Sequence, residues 1–231
     1  MSIFQQEKIT CPTCKAQVDC EVNYSLFADR RPDLRDEVLE GTFQQMVCTQ
    51  CGEIFRLDPR MTYLDVSRKQ WILVEPLENL ARWKELEKVA IDNFNEAYGP
   101  GTSPQARRLG KDLQVRAAFG WMALREKLLA EENNLDDATL EMTKILLLRT
   151  SESAPLADDV DLRLIEIDDD DNLVFGWIKG ASEEMLESIT APRAVYEGIE
   201  VSPGDFKSLR EQVTAGPFVD MGRLLVAGDG N

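Results

Sequence analysis

Histidine does not occur anywhere in the 231 residues. Its absence removes Ser-His and Cys-His nucleophile pairs, His-ligated metals and the commonest general base near neutral pH. Lys, Tyr, Cys and carboxylates remain for proton transfer, so enzyme chemistry is disfavoured without being excluded. Long apolar runs are missing too: none approaches the roughly 18 residues that a membrane span requires. The opening residues Met1-Ser2-Ile3-Phe4-Gln5-Gln6-Glu7-Lys8 lack the basic and apolar regions of a secretory signal. There is no Walker or dinucleotide glycine pattern, and Gly99-Pro100-Gly101 reads as a helix stop. Positive charge is scarce, with 26 Lys and Arg against 42 Asp and Glu. The imbalance is concentrated at one end, since residues 151–231 hold 6 Lys and Arg against 18 Asp and Glu. Such a tract repels phosphate backbones and argues against nucleic acid as its partner. It suits a solvated surface, or a protein partner with a basic surface.

Five cysteines are present, and four fall in pairs: Cys11-Pro12-Thr13-Cys14 and Cys48-Thr49-Gln50-Cys51. Two thiolates at this spacing curl around one side of a metal, and two such knuckles close a tetrahedral shell. The expectation is a structural Zn²⁺ held by Cys11, Cys14, Cys48 and Cys51. A filled shell leaves no position for water or substrate, so the metal would fasten the fold rather than catalyse. An iron–sulfur or rubredoxin-like iron site and a redox dithiol are the competing readings. The odd cysteine count and the missing export signal disfavour a disulfide framework and favour a reducing cytoplasm. Cys20 alternates with Val18 and Val22, as a buried strand thiol does.

Fold class follows from hydrophobic periodicity. Val18, Cys20, Val22 and Tyr24 alternate with polar residues and predict a strand. Pro32 opens a helix over Asp33 to Glu40 that Gly41 ends. Strands are predicted at Phe43 to Val47, Glu53 to Leu57, Met61 to Val66 and Gln70 to Val74, with Ser67-Arg68-Lys69 as a turn. Pro76 starts a helix reaching Tyr98, a second helix covers about Leu113 to Glu132, and a third, capped by Asn134, Asp136 or Asp137, reaches Arg149. After a loop over Thr150 to Asp159, apolar segments flanking Asp168-Asp169-Asp170-Asp171-Asn172 predict a hairpin. Short helices are expected near Glu183–Ser188 and Pro203–Val213, then a strand near Met221–Val226 and a Gly-rich tail. The sum is an α+β protein in three parts: a zinc-ribbon-like module at 1–76, a helical segment at 77–150, and a small acidic α/β segment at 151–231.

Other features have plain readings. The aspartate run fails as a calcium loop, because the sixth and twelfth positions counted from Asp168 hold Leu173 and Lys179 instead of Gly and Glu. Trp71, Trp83, Trp121 and Trp177 lie mostly on apolar periodic segments and are expected in cores.

The paired cysteines, Met61-Thr62-Tyr63-Leu64-Asp65, Trp71-Ile72-Leu73-Val74-Glu75-Pro76, Phe119 to Leu129 and Leu135-Asp136-Asp137 together resemble the bacterial CpXC proteins, named for two Cys-Pro-x-Cys motifs. The resemblance covers residues 9–150 well and the rest loosely. Thr49 stands where that family's second motif has proline. What the resemblance implies is the metal site and the order of segments; it supplies no activity. The expected function is therefore a cytoplasmic protein-interaction or scaffold module, able to self-associate, without catalysis. A second reading docks the ribbon on transcription or translation machinery through Arg30, Arg31, Arg35, Arg56, Arg60, Arg68 and Lys69. A third is an enzyme that uses carboxylates, Lys or Tyr.

Overall fold

The computed structural model describes residues 2–150, 155, 157, 159–202 and 204–225. It is mixed α+β, with three sheets among the described residues. These residues gather into two compact units, one drawn from Met1–Glu78 and Val89–Trp121, the other from Asn79–Lys88 and Met122–Asn231. No helix of the described residues is long and apolar enough to cross a membrane.

In the first unit, β1 (Ile3–Thr10) and β2 (Gln17–Phe27) form an antiparallel hairpin. Alternation along β2 buries Val18, Cys20 and Val22 while Asp19 and Glu21 face water. Next come α1 (Pro32–Glu40), β3 (Gln45–Val47), β4 (Ile54–Arg56), β5 (Met61–Asp65) and β6 (Gln70–Glu75). Gly41 closes α1 in the left-handed conformation at φ 77°, where a side chain would be strained. The β3–β4 pair is a separate two-stranded sheet inside the connection from β2 to β5. That connection joins parallel strands, which cannot be linked by a tight turn. A 3-10 turn at Leu77–Arg82 leads into α2 (Trp83–Tyr98), the stretch Asn79–Lys88 of the two belonging to the second unit, then α3 (Pro104–Gly110) and β7 (Gln114–Phe119). The resulting five-stranded sheet has the order β1-β2-β5-β6-β7. All six residues of β6 are buried, as expected for a strand inside a sheet covered on both faces.

The second unit holds α4 (Trp121–Glu132) from Met122 onward and α5 (Asp137–Thr150). Asp136 caps α5, its Oδ1 accepting the Thr139 N–H at 2.8 Å. The strands β8 (Val160–Ile167), β9 (Leu173–Lys179) and β10 (Glu184–Ala191) form an antiparallel sheet in the order β10-β9-β8. Its core packs Leu162, Leu164, Phe175 and Trp177 with Leu140 and Tyr196. Three short helices follow: α6 (Arg193–Val201), α7 (Lys207–Val213) and α8 (Gly222–Leu225).

Four expectations need correction. Residues 114–119 are strand β7, parallel to β6, instead of the first part of a helix. Ala117, Ala118 and Phe119 are all buried, and a short run buried all round carries no period that separates strand from helix. Gly120, at φ 77°, makes the sharp turn into α4. The helix expected near Glu183–Ser188 is strand β10, because backbone pairing with β9 overrides local propensity. Met221 and the residues after it form a turn and α8 instead of a strand, with the Asp220 carboxylate accepting the Gly222 N–H at 2.7 Å. Val226 and the Gly-rich tail lie outside the described residues, as do Ser151–Ala154, Leu156 and Asp158 of the expected loop and Pro203 at the start of the expected helix. Finally, β1 begins at Ile3, well before the first predicted strand.

Candidate metal centre

The four paired cysteines sit in two hairpin turns, Cys11 and Cys14 between β1 and β2, Cys48 and Cys51 between β3 and β4. The turns have the same construction. In the first, Cys11 N–H donates to the Ala16 carbonyl at 2.8 Å and Lys15 N–H to the Cys11 carbonyl at 3.1 Å. In the second, Cys48 N–H donates to the Glu53 carbonyl at 2.7 Å and Gly52 N–H to the Cys48 carbonyl at 2.8 Å. Each turn puts the residue after its second cysteine in the left-handed region, Lys15 at φ 62° and Gly52 at φ 76°. Glycine takes that conformation freely, whereas lysine pays about 1–2 kcal/mol.

These turns bring the four sulfurs together. Their Sγ atoms all lie within 4.8 Å of one another, with Cys11 to Cys51 at 3.8 Å and Cys14 to Cys48 at 3.6 Å. The separations exceed a disulfide bond of about 2.05 Å by far, and all the cysteines are free thiols. A tetrahedron of sulfurs about 2.3 Å from a central ion has edges of about 3.8 Å. The quartet therefore has the size and donor chemistry to hold a metal ion.

The sequence match completes the picture: the family model described as CpXC protein matches residues 9–144. This chain belongs to the CpXC family. No curated protein and no solved structure matches it. The CpXC match contains both knuckles and ends within α5.

Electrostatics inside the quartet is uneven. Backbone N–H groups of Cys51 and Gln50 point at the Cys48 sulfur and lower its pKa to about 6. For Cys51 the Glu53 N–H pulls downward, but local loss of water around the sulfur, though the residue as a whole is exposed, and the sulfurs of Cys14, Cys48 and Cys11 outweigh it and push the thiol up to about 12. Four thiols this close share their protons as a group, and a divalent cation reverses the balance by favouring thiolates. Cys11 and Cys48 are buried while Cys14 and Cys51 are exposed. Behind the quartet a small core packs Val18, Val22 and Leu57 against Phe55 and Met46. Trp121 seals its base, donating Nε1–H to the Leu57 carbonyl at 2.9 Å and meeting Phe43 edge-on at 5.4 Å.

Cys20 belongs to that core and not to the quartet. Burial, then Asp19, raises its pKa, which suits an inert thiol. All four tryptophans are buried. Asp168 accepts N–H bonds from Asp170 and Asn172, so the aspartate run is a hairpin turn. Four of the six arginines of the first module are engaged by acids: Arg31 with Asp33, Arg60 with Glu75, and both Arg35 and Arg68 with Asp65.

Sequence reasoning missed a second constellation, in the other unit. Glu126 of α4, Glu141 and Lys144 of α5, Arg163 of β8 and Asp220 are all buried. Lys144 Nζ lies 3.0 Å from Glu126 and 2.8 Å from Glu141, and Arg163 lies 3.1 Å from Glu126 and 2.5 Å from Asp220. Lys127 joins through Asp137 at 3.1 Å and the Val219 carbonyl at 2.5 Å. Burial opposes the charge on Glu126 and Asp220, yet the surrounding cations win and hold both below the usual carboxylate range. Glu141 goes the other way: burial, helped by Asp220 and Glu126, pushes it up to about 7. The carboxylates of Glu126, Glu141 and Asp220 approach within 4.8 Å of one another, but Lys144 and Arg163 already supply the cations between them. The only signal in the sequence is Glu126, Lys127, Glu141 and Lys144 on apolar helices, where charge is unusual.

Proposed function

We propose that this CpXC chain is a zinc-stabilised protein-interaction module whose metal fastens the fold and performs no chemistry. The observation that carries the reading is the sulfur quartet, with contacts of 3.6 and 3.8 Å. Four thiolates at tetrahedral spacing are the donor set of a closed structural Zn²⁺ site. The two matched hairpin turns support a zinc-ribbon-like assignment for the first module. A saturated shell holds no position for a reacting group, and the chain brings no histidine to act beside it.

The partner side of the reading rests on charge. Residues 151–231 carry the acidic excess, and β10, an edge strand, exposes Met185 and Leu186 beside Glu184 and Glu187. Apolar contact ringed by carboxylates suits a basic protein surface. A self-complementary assembly is a less favoured form, because like carboxylates would face one another. Docking on nucleic acid draws no support, since so many arginines of the first module are neutralised by neighbouring acids.

The test has two arms. Elemental analysis of the purified chain should find one zinc per molecule, lost together with fold when a chelator is added. Affinity capture from cells should then recover a stable partner whose retention weakens with salt. Metal-free protein that stays folded, or a monomer that retains nothing at low salt, would overturn the proposal.

A further inference from the structure

The sheet of the second unit has two edges, and they are finished differently. β8, at one edge, buries Leu162, Arg163 and Leu164. β10, at the other, is exposed at every position from Glu184 to Ser188, on both faces of the strand. Met185 is 53% and Leu186 42% exposed. Among the described residues only β9 pairs with β10. The register slips between Met185 and Glu187, which makes Leu186 the extra residue of a bulge. It then runs without a break from Glu187 opposite Trp177 to Ala191 opposite Leu173. In such a ladder every second residue turns its N–H and C=O away from the neighbouring strand. β10 thus offers a regular stretch of open backbone groups beside two uncovered apolar side chains.

The charges along that edge select what can use it. Glu184 and Glu187 are exposed, and neither has an ion-pair partner among the described residues. Bulges and charged side chains are the means by which a sheet refuses a further strand, and here the refusal has one sign. A second copy of β10 would set glutamates among glutamates. An acidic segment would meet the same glutamates and the excess of 18 Asp and Glu over 6 Lys and Arg in residues 151–231. A basic segment meets neither barrier, and a Lys or Arg opposite a glutamate adds a favourable cross-strand pair. We infer that the open edge of β10 takes up an extended segment of the partner as a fourth strand, one in which Lys or Arg alternates with apolar residues. The inference rests on the proposed function and gives its basic partner a form. Backbone hydrogen bonds supply the affinity, and the sign of the charge supplies the choice.

The experiment uses the full metal-loaded chain with three capped peptides: Thr-Lys-Val-Lys-Val-Lys-Thr, the same peptide with Glu for each Lys, and the Lys peptide N-methylated at every amide. Hydrogen exchange read by mass spectrometry should show residues 184–191 gaining protection with the first peptide alone. The Glu peptide tests charge, and the N-methylated one, which keeps every side chain, tests backbone pairing. Glu184→Gln and Glu187→Gln should each weaken the Lys peptide about threefold, the worth of one exposed cross-strand pair. Glu184→Lys combined with Glu187→Lys should refuse it; both positions are exposed, so the fold is kept. Asp169→Asn, in the β8–β9 turn, should change nothing. No gain of protection at 184–191 with the Lys peptide, an equal gain with either control peptide, or undiminished binding by the charge-reversed chain would each overturn the inference. So would protection there that rises with chain concentration in the absence of peptide, because a second copy would then hold the edge. Failure here is distinguishable from failure of the wider reading: a cellular partner still captured by the charge-reversed chain removes the strand addition and leaves the interaction module standing.

Discussion

The two units hold short elements together by opposite means. The first converges four sulfurs at hairpin turns, two of them exposed, and in the proposed reading relies on an ion from outside. The second buries its own ions, with Glu126, Glu141 and Asp220 interleaved among Lys127, Lys144 and Arg163. The contrast shows where each kind of stability resides. A metal site can be built from turns near water because its energy comes from the ion, about 10–16 kcal/mol for comparable zinc peptides. A buried ion network gains little over a well-packed apolar core, and its value lies in completeness, since removing one member strands a bare charge.

Stripping the metal should break the comparison most severely. Chelation is expected to remove about 10–16 kcal/mol, comparable with a typical domain's whole stability of about 5–15 kcal/mol, and Cys48→Ser to remove a large part of it. Hydrogen exchange read by mass spectrometry should show residues 9–57 losing protection while α5 and β9 keep theirs. Equal loss in both units would mean that the metal governs the whole chain.

The reverse cut is Lys144→Met, which leaves Glu126 and Glu141 without their shared cation. A loss of about 3–5 kcal/mol is expected, visible in denaturant unfolding, with zinc content unchanged. A thermally neutral variant would remove the network from the account.

Acid and base should also separate the units. Glu141 has a raised folded pKa, so the unfolded chain releases its proton first and stability falls as pH rises from about 4.5 to about 7. The size is at most about 3 kcal/mol. Glu126 and Asp220 have depressed folded values, so their contribution is present at neutral pH and is lost as pH falls through the carboxylate range. Glu141→Gln should flatten the near-neutral slope of unfolding free energy against pH and leave the acid limb intact. A slope unchanged by that substitution would show that Glu141 does not carry the proton.

The smallest effect sharpens the likeness between the knuckles. Lys15→Gly should stabilise the first unit by about 0.5–1 kcal/mol, because Lys15 occupies the left-handed position that Gly52 fills freely. Calorimetry of the metal-loaded chain would detect it.

The first unit was the more legible in sequence, and the reason is physical. Cysteine spacing, the alternation of Val18, Cys20 and Val22, and the Pro32 and Gly41 signals are local, and each survives folding unchanged. β7 and β10 were misread because long-range pairing decided them: Ala117 to Phe119 is buried whichever way it folds, and β10 exposes its Met185 and Leu186. The ion network was nearly invisible for the same reason. Glu126, Glu141, Arg163 and Asp220 come from four separate segments, and beyond the oddity of charge on apolar helices nothing local marks them as partners. The CpXC match reaches residue 144 and so includes Glu126, Glu141 and Lys144 without their partners Arg163 and Asp220.

X-ray absorption at the metal edge of the purified chain tests the central claim most directly. Four sulfurs at about 2.3 Å around one zinc, with no oxygen or nitrogen in the shell, is the expected result. A shell containing oxygen or nitrogen, or sulfurs shared among more than one metal, would contradict it.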